Sequence, residues 1–287
     1  AWTVQQGDKT QLFAASGPGF KRTALFTQSD VDGTPITGIQ ISPDGAWVAF
    51  TTGFAAGGYN PASLITPPKA TLWLVSSAGG AAPVKIGEGA SPEFTPDGSR
   101  LVYLSGADLW AVAVGARAAD VKPEMLVRGG AAFAQRAWAA DGKSFYFVQD
   151  RGGWSFLGRH TLGSDRVEWL VTGADRLSHP VLSPDGKSIA YLRWPGREHT
   201  VTYDNLENQS VAVETVAASG GKTKTLWQSG PRGGSFISDD DEGLLRWSDS
   251  KTVVFRAEED GWARLYAAST AGGKVRALTG EKCEVAE

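Results

Sequence analysis

The stretch Leu182-Ser-Pro-Asp-Gly186, followed at once by Lys187-Ser-Ile-Ala-Tyr-Leu192, decides the fold of this chain. Pro184 presets φ at about −65° for the second position of a type I turn, while Ser183 suits the first position and Gly186 the fourth. The nearly continuous apolar run behind the turn reads as a short strand covered on both faces. The pattern returns as Ile41-Ser-Pro-Asp-Gly45, Phe94-Thr-Pro-Asp-Gly98 and Trp138-Ala-Ala-Asp-Gly142, with a degenerate copy at Trp247-Ser-Asp-Ser-Lys251. Asp44, Asp97, Asp141 and Asp185 lie 53, 44 and 44 residues apart, near the ~40–50-residue period of propeller blades.

Working outward, a second strand is expected after each turn, at Ala46–Phe50, Leu101–Leu104, Phe145–Val148, Ile189–Leu192 and Thr252–Phe255. A third strand with an apolar-aromatic beat follows at Thr71–Val75, Asp108–Val112 and Ala263–Ala267, with weaker counterparts near Ser155–His160 and Val211–Val216. Fourth strands are expected at Val84–Ile86, Glu124–Val127, Val167–Val171, Thr223–Trp227 and Val275–Leu278. Four antiparallel strands joined by turns make a blade. Ahead of the first full copy, Gln11–Ala15 and Arg22–Phe26 read as the third and fourth strands of a blade whose beginning is mostly missing, with Trp2–Val4 as the end of its second strand.

The expectation is therefore an all-β chain, a single β-propeller domain over residues 1–287 with five complete blades. Approximate bounds are 1–34 (partial), 35–89, 90–130, 131–174, 175–230, 231–280 and 281–287 (the start of the next). If Cys283–Glu287 pairs beside the N-terminal strands the ring is six-bladed; otherwise the chain is an arc of a seven- or eight-bladed one. Helical periodicity is nearly absent, with one turn conceivable at Ala116–Asp120.

Composition narrows the function classes. The chain carries 36 glycines and 11 tryptophans, which suits many tight turns between short aromatic strands. A formal charge of −3 gives no electrostatic case for nucleic acid or an anionic membrane. No apolar run approaches the roughly 18–20 residues that span a bilayer. The single cysteine, Cys283, excludes an internal disulfide and a cysteine-based metal site. The chain opens at Ala1 without methionine or leader and stops inside what reads as a new strand, so a fragment is expected.

Chemistry-bearing motifs are sparse. No phosphate-cradling glycine loop and no His-Glu-x-x-His helix occurs, and His160, His179 and His199 show no metal spacing. Gly153-Trp-Ser155-Phe-Leu-Gly158 comes nearest to a nucleophile elbow. Leu157 takes the place of the second glycine, and no amphipathic helix follows, so it reads as a hairpin turn. The acidic run Asp239–Glu242 lacks the spacing of a calcium loop and reads as solvated charge. Glu258 and Glu259, in an Asp-Gly hairpin, are weak candidates for holding a substrate ammonium. No metal or cofactor is expected. Three long or irregular stretches, Thr51–Ala70, Arg193–Ser210 and Pro231–Glu242, are where loops on a rigid scaffold often carry function.

The Ser/Thr-Pro-Asp-Gly repeats resemble the propeller repeats shared by TolB and the prolyl oligopeptidase family. The fifth blade is more specific: Trp247-Ser-Asp-Ser250, Val253-Val-Phe255, Glu259-Asp-Gly-Trp-Ala-Arg-Leu-Tyr266, Gly272-Gly-Lys274 and Leu278-Thr-Gly280. It is similar to late propeller blades of dipeptidyl peptidase IV-like and acylaminoacyl-peptidase-like serine peptidases. The resemblance implies a propeller that restricts entry of short peptide substrates to an α/β-hydrolase domain of the same parent chain, in a periplasmic or secreted protein. No catalytic residue of that family maps onto any position here, and Glu258-Glu259 does not inherit that family's acidic pair. The rival readings are a non-enzymatic TolB-like propeller that binds a protein partner, and an autonomous propeller enzyme with polar groups at its channel.

Overall fold

The repeated turns close as their residues dictate. The Gly45, Gly98 and Gly186 N–H groups each donate to the carbonyl three residues back, at 2.8 Å. These glycines adopt φ of +73°, +70° and +70°, a conformation that costs a residue with a Cβ. The aspartate between proline and glycine accepts the hydroxyl of Ser42, Thr95 or Ser183 at 2.5, 2.6 and 2.7 Å. It also accepts the N–H two residues ahead, at 3.0, 3.0 and 3.2 Å. The same hydroxyl takes the N–H of Trp47, Arg100 or Ser188 at 2.9, 3.0 and 2.9 Å, where the next strand begins. Ala139 has no hydroxyl to offer, and there Asp141 accepts only the Lys143 N–H, at 2.9 Å.

The computed structural model describes residues 1–29, 34–54, 69–115, 121–129, 133–196, 210–230, 245–258 and 262–280, the side chains of 133–135 excepted. The helical turn expected at Ala116–Asp120, the strand expected at Cys283–Glu287 and most of the three long stretches lie outside the described residues. The chain divides into two compact units, Ala1–Arg128 and Gly129–Glu287.

Among the described residues, the first unit holds three sheets. One is three-stranded, β1 (Trp2–Gln6), β2 (Lys9–Ser16) and β3 (Lys21–Ser29) in that order. Two are four-stranded: β4 (Ile36–Ile41), β5 (Trp47–Thr52), β6 (Thr71–Ser76) and β7 (Val84–Glu88), then β8 (Ala90–Phe94), β9 (Arg100–Ser105), β10 (Asp108–Ala113) and β11 (Glu124–Val127). Among the described residues, the second unit holds three four-stranded sheets. They are β12 (Phe133–Trp138), β13 (Ser144–Asp150), β14 (Ser155–Thr161) and β15 (Val167–Val171); β16 (Arg176–Leu182), β17 (Ser188–Trp194), β18 (Ala212–Ala217) and β19 (Lys224–Gln228); and β20 (Leu245–Asp249), β21 (Thr252–Glu258), β22 (Ala263–Ser269) and β23 (Arg276–Ala277). Every pairing within these sheets is antiparallel between chain neighbours. These are five complete propeller blades and part of a sixth. The expected strands fall in place within three residues at each end, the largest differences being the C-terminal ends of β3 and β21, and β23 is the shortest because only Arg276 and Ala277 pair.

The opening stretch shows why its strand is apolar throughout. Along β17, Ile189 and Tyr191 enter a core shared with β13 and β14 of the preceding blade, among them Tyr146 and Leu157. Ala190, Leu192 and Trp194 enter the core shared with β20 to β22 of the next blade, with Leu245, Phe255 and Tyr266. Successive side chains point to opposite faces, so a strand with a blade on either side is apolar at every position. Full burial of one such side chain stabilises by about 1.5–3 kcal/mol.

The same two-against-one bulge recurs in the first strands of four blades, β4, β8, β12 and β16. In β4, β8 and β16, Thr37 pairs with Thr51 and Gln40 with Ala49; Ala90 pairs with Leu104 and Glu93 with Val102; Ser178 pairs with Leu192 and Val181 with Ala190. Two residues therefore face one, and Gly38, Ser91 and His179 take φ of +58°, +51° and +52°. The single residues opposite, Phe50, Tyr103 and Tyr191, are all buried.

Candidate functional site

In an antiparallel blade, the connection from second to third strand and the exit from the fourth strand leave by the same edge of the sheet. In the fifth blade, Glu258 stands at the start of the connection from second to third strand. Glu258 ends β21, pairs with Ala263 and is half-buried. Glu259, His199, Asp239–Glu242 and Cys283 lie outside the described residues. The paired-acid candidate is thus represented by Glu258 at the end of its strand.

Ser155 is placed for structure. It is 4% exposed, and its Oγ donates to the Leu177 carbonyl at 3.1 Å while accepting the Leu177 N–H. Its own N–H donates to the Asp175 carbonyl at 2.9 Å. A serine nucleophile needs an open hydroxyl beside a base, and this one is spent joining β14 to the head of β16. His160 is 1% exposed with its ring 5.3 Å from that of Phe145. His179 is 7% exposed, occupies the bulge of β16, and its Nδ1 lies 2.6 Å from the neighbouring Ser178 Oγ. The structure does not bring the two described histidines together with Ser155 in a nucleophile–base arrangement.

A buried polar network, absent from the sequence expectations, crosses the fourth blade. Glu214 on β18 is 5% exposed and accepts the Tyr191 hydroxyl at 2.8 Å, Arg193 Nε at 2.8 Å and the Thr225 hydroxyl at 3.0 Å. Arg193 reaches on to Asp175 at 3.3 Å. Burial, reinforced by the Glu214 charge, pushes the Tyr191 phenol far up, so it stays a donor. Burial opposes the Arg193 charge, but Glu214 and Asp175 more than offset it and hold the guanidinium above its ordinary range. The signal in the sequence was Glu214 itself, one acid inside the apolar run Val211-Ala-Val-Glu-Thr-Val216. With three hydrogen bonds on one carboxylate, two of them to Oε1, the network is a brace.

The edge is closed tightly where these elements meet. A Cβ on Gly196 would fall 1.8 Å from the Ala174 carbonyl oxygen and 3.4 Å from that of Gly153. Arg176 lies over the Trp194 ring at 5.7 Å and its Nε reaches the Pro195 carbonyl at 3.5 Å. Among the described residues no three His, Cys, Asp or Glu side chains group as metal ligands.

No protein-family model and no curated protein sequence matches the chain. Solved structures do. A puromycin-hydrolyzing peptidase of Mycobacterium tuberculosis aligns with a TM-score of 0.61 and 17% identity over 88% of this chain and 38% of its own. Dipeptidyl peptidase 4 of Porphyromonas gingivalis aligns at 0.60 and 14% over 98% of this chain and 46% of its own. An oligogalacturonate lyase in complex with manganese aligns at 0.58 and 14% over 96% of this chain and 74% of its own. The likeness that the repeats carry in sequence, to propeller regions of prolyl-oligopeptidase-type enzymes, recurs in the fold. The chain spans less than half the length of these two peptidases.

Proposed function

We propose that this chain is the propeller part of a serine peptidase acting on short peptides, and that it limits which substrates reach a hydrolase domain elsewhere in the parent protein. The observation that carries the reading is the asymmetry of the structural match. Nearly all of this chain aligns with less than half of a dipeptidyl peptidase, and the fifth-blade residues Glu259-Asp-Gly-Trp-Ala-Arg-Leu-Tyr266 resemble the same class. The spent hydroxyl of Ser155 agrees with chemistry located outside the chain.

A propeller serves this role sterically. Close-packed blades resist deformation, so a size limit set by them does not relax to admit a folded protein. The test is the parent reading frame beyond Glu287. A Gly-x-Ser-x-Gly elbow followed by Asp and His supports the proposal. A frame that ends without them overturns it and favours the protein-binding propeller. The purified 287-residue chain is expected not to hydrolyse an aminoacyl-proline chromogenic substrate, and hydrolysis would contradict the assignment.

A further inference from the structure

Arg151 differs from Arg159 and Arg193 of the third and fourth blades. Arg159 meets Glu168 at 2.6 Å, and Arg193 meets Glu214 and Asp175. Arg151, next after β13, has no carboxylate at ion-pair distance among the described residues. Its Nη2 donates to the neutral Gln149 Oε1 at 2.6 Å, and its guanidinium carbon lies 5.1 Å from the Phe156 ring centroid and 5.5 Å from that of Trp169. The adjacent Asp150 uses Oδ1 to accept the Gly152 N–H at 2.8 Å.

The support beneath this cation is fixed. Gln149 is 4% exposed. Phe156 meets Trp169 edge-on at 5.6 Å, and Phe147 backs Trp169 at 5.9 Å. Trp169 lies over Gly158, where a Cβ would come within 2.9 Å of the indole, so glycine is what admits the ring. The turn is held by Arg151 N–H donating to the Trp154 carbonyl at 2.8 Å and by the Ser155–Leu177 hydrogen bonds that follow. Arg151 itself is exposed, as are Trp154 and Trp169.

A guanidinium carries five N–H donors, and one of them meets Gln149. Ring stacking has removed much of the rotamer freedom that binding would otherwise have to quench. Such a cation, with no carboxylate at ion-pair distance among the described residues and already ordered, suits the two oxygens of a carboxylate taken side by side. We propose that Arg151 anchors a carboxylate-binding subsite on this edge of the third blade, taking the free C-terminal carboxylate of a short peptide. The exposed indoles of Trp154 and Trp169 offer aromatic surface to its last side chain. The peptide as ligand rests on the function proposed above; the carboxylate subsite rests on Arg151.

The test is an NMR titration of the 287-residue chain, following the arginine Nε–Hε and tryptophan indole signals. The probes are Ala-Pro-Phe with a free carboxylate, the same tripeptide amidated, and N-acetylphenylalanine. The free acid is expected to move the Arg151 and Trp169 signals and to bind at least tenfold more tightly than the amide. Arg151→Gln removes that difference, and Arg151→Lys, which keeps the charge without the fork, restores part of it. Equal binding of acid and amide, or an acid preference that survives Arg151→Gln, overturns the subsite and leaves the peptide reading standing. If neither tripeptide binds but N-acetylphenylalanine moves the Arg151 signal, the subsite stands and the peptide reading falls. If no probe moves it, the subsite is overturned.

Discussion

Ser155 and Leu177, 22 residues apart and in successive blades, exchange a pair of hydrogen bonds: the serine hydroxyl gives one to the leucine carbonyl at 3.1 Å and takes one from the leucine N–H. Both backbone groups are buried beside β14 and have the serine as their partner. Ser155→Ala leaves a donor and an acceptor unpaired, a loss of about 1–3 kcal/mol, and is expected to lower the urea midpoint of the second unit. A fluorophosphonate probe directed at reactive serines is expected not to label the wild-type chain. Labelling that disappears in Ser155→Ala would assign Ser155 a chemical role in place of a structural one.

The turn aspartates make stability depend on acidity. Hydroxyl hydrogen bonds from Ser42, Thr95 and Ser183, reinforced by backbone N–H groups, hold the carboxyls of Asp44, Asp97 and Asp185 below the ordinary value of 3.8. A carboxyl with a depressed folded pKa contributes stability above its unfolded value and loses it as pH falls through the folded one. The contribution is therefore full above about pH 4 to 5 and fades below that. All three groups are exposed or nearly so, which keeps the effect small. Denaturant midpoints measured from pH 2.5 to 6 should rise with pH less steeply in the triple variant Asp44→Asn/Asp97→Asn/Asp185→Asn, whose amides still accept the turn N–H groups but do not titrate. Parallel curves would show that these carboxyls are not perturbed by folding.

Much of the fold was legible because its signals are local. Pro184 and Gly186 state a turn on their own, and Ile189 to Leu192 state a strand with two covered faces; the apolar packing on either side of β17 needs nothing more than alternation. The bulge was not legible. Gly38 hints at it, but Ser91 and His179 take positive φ only because the strand beside them holds Phe50, Tyr103 and Tyr191 in register. The Glu214 network was equally hidden, since its partners Tyr191 and Thr225 lie 23 and 11 residues away and meet only when β17, β18 and β19 pair. Arg151 gave no sign of itself, because Phe156 and Trp169 reach it across two strands.

The Glu214–Arg193 pair is expected to respond asymmetrically to mutation. Arg193→Met strips the cation from a carboxylate that stays buried, and one-sided loss of a buried pair costs about 3–5 kcal/mol. The lower end applies, because the Arg193 side chain is 25% exposed. Arg193→Met/Glu214→Met removes both charges and should recover a substantial part of the loss. Thermal unfolding of the two variants decides the point, and a double variant no more stable than the single one would mean that Glu214 is held chiefly by Tyr191 and Thr225.

Gly196 tests how rigidly the edge is closed. Its φ does not demand glycine, but an added Cβ would sit 1.8 Å from the Ala174 carbonyl oxygen and 3.0 Å from its carbon. These are backbone atoms, and the neighbouring Asp175 is tied by its carbonyl to the Ser155 N–H and by its side chain to Arg193. The connection cannot swing aside without breaking those bonds, so Gly196→Ala is expected to cost about 1–3 kcal/mol as overpacking does in a core. Hydrogen exchange should locate the damage, with faster exchange at the Ser155 and Leu177 amides and little change at Phe255 in the next blade. An unchanged exchange pattern would show that the segment after Trp194 has room to move.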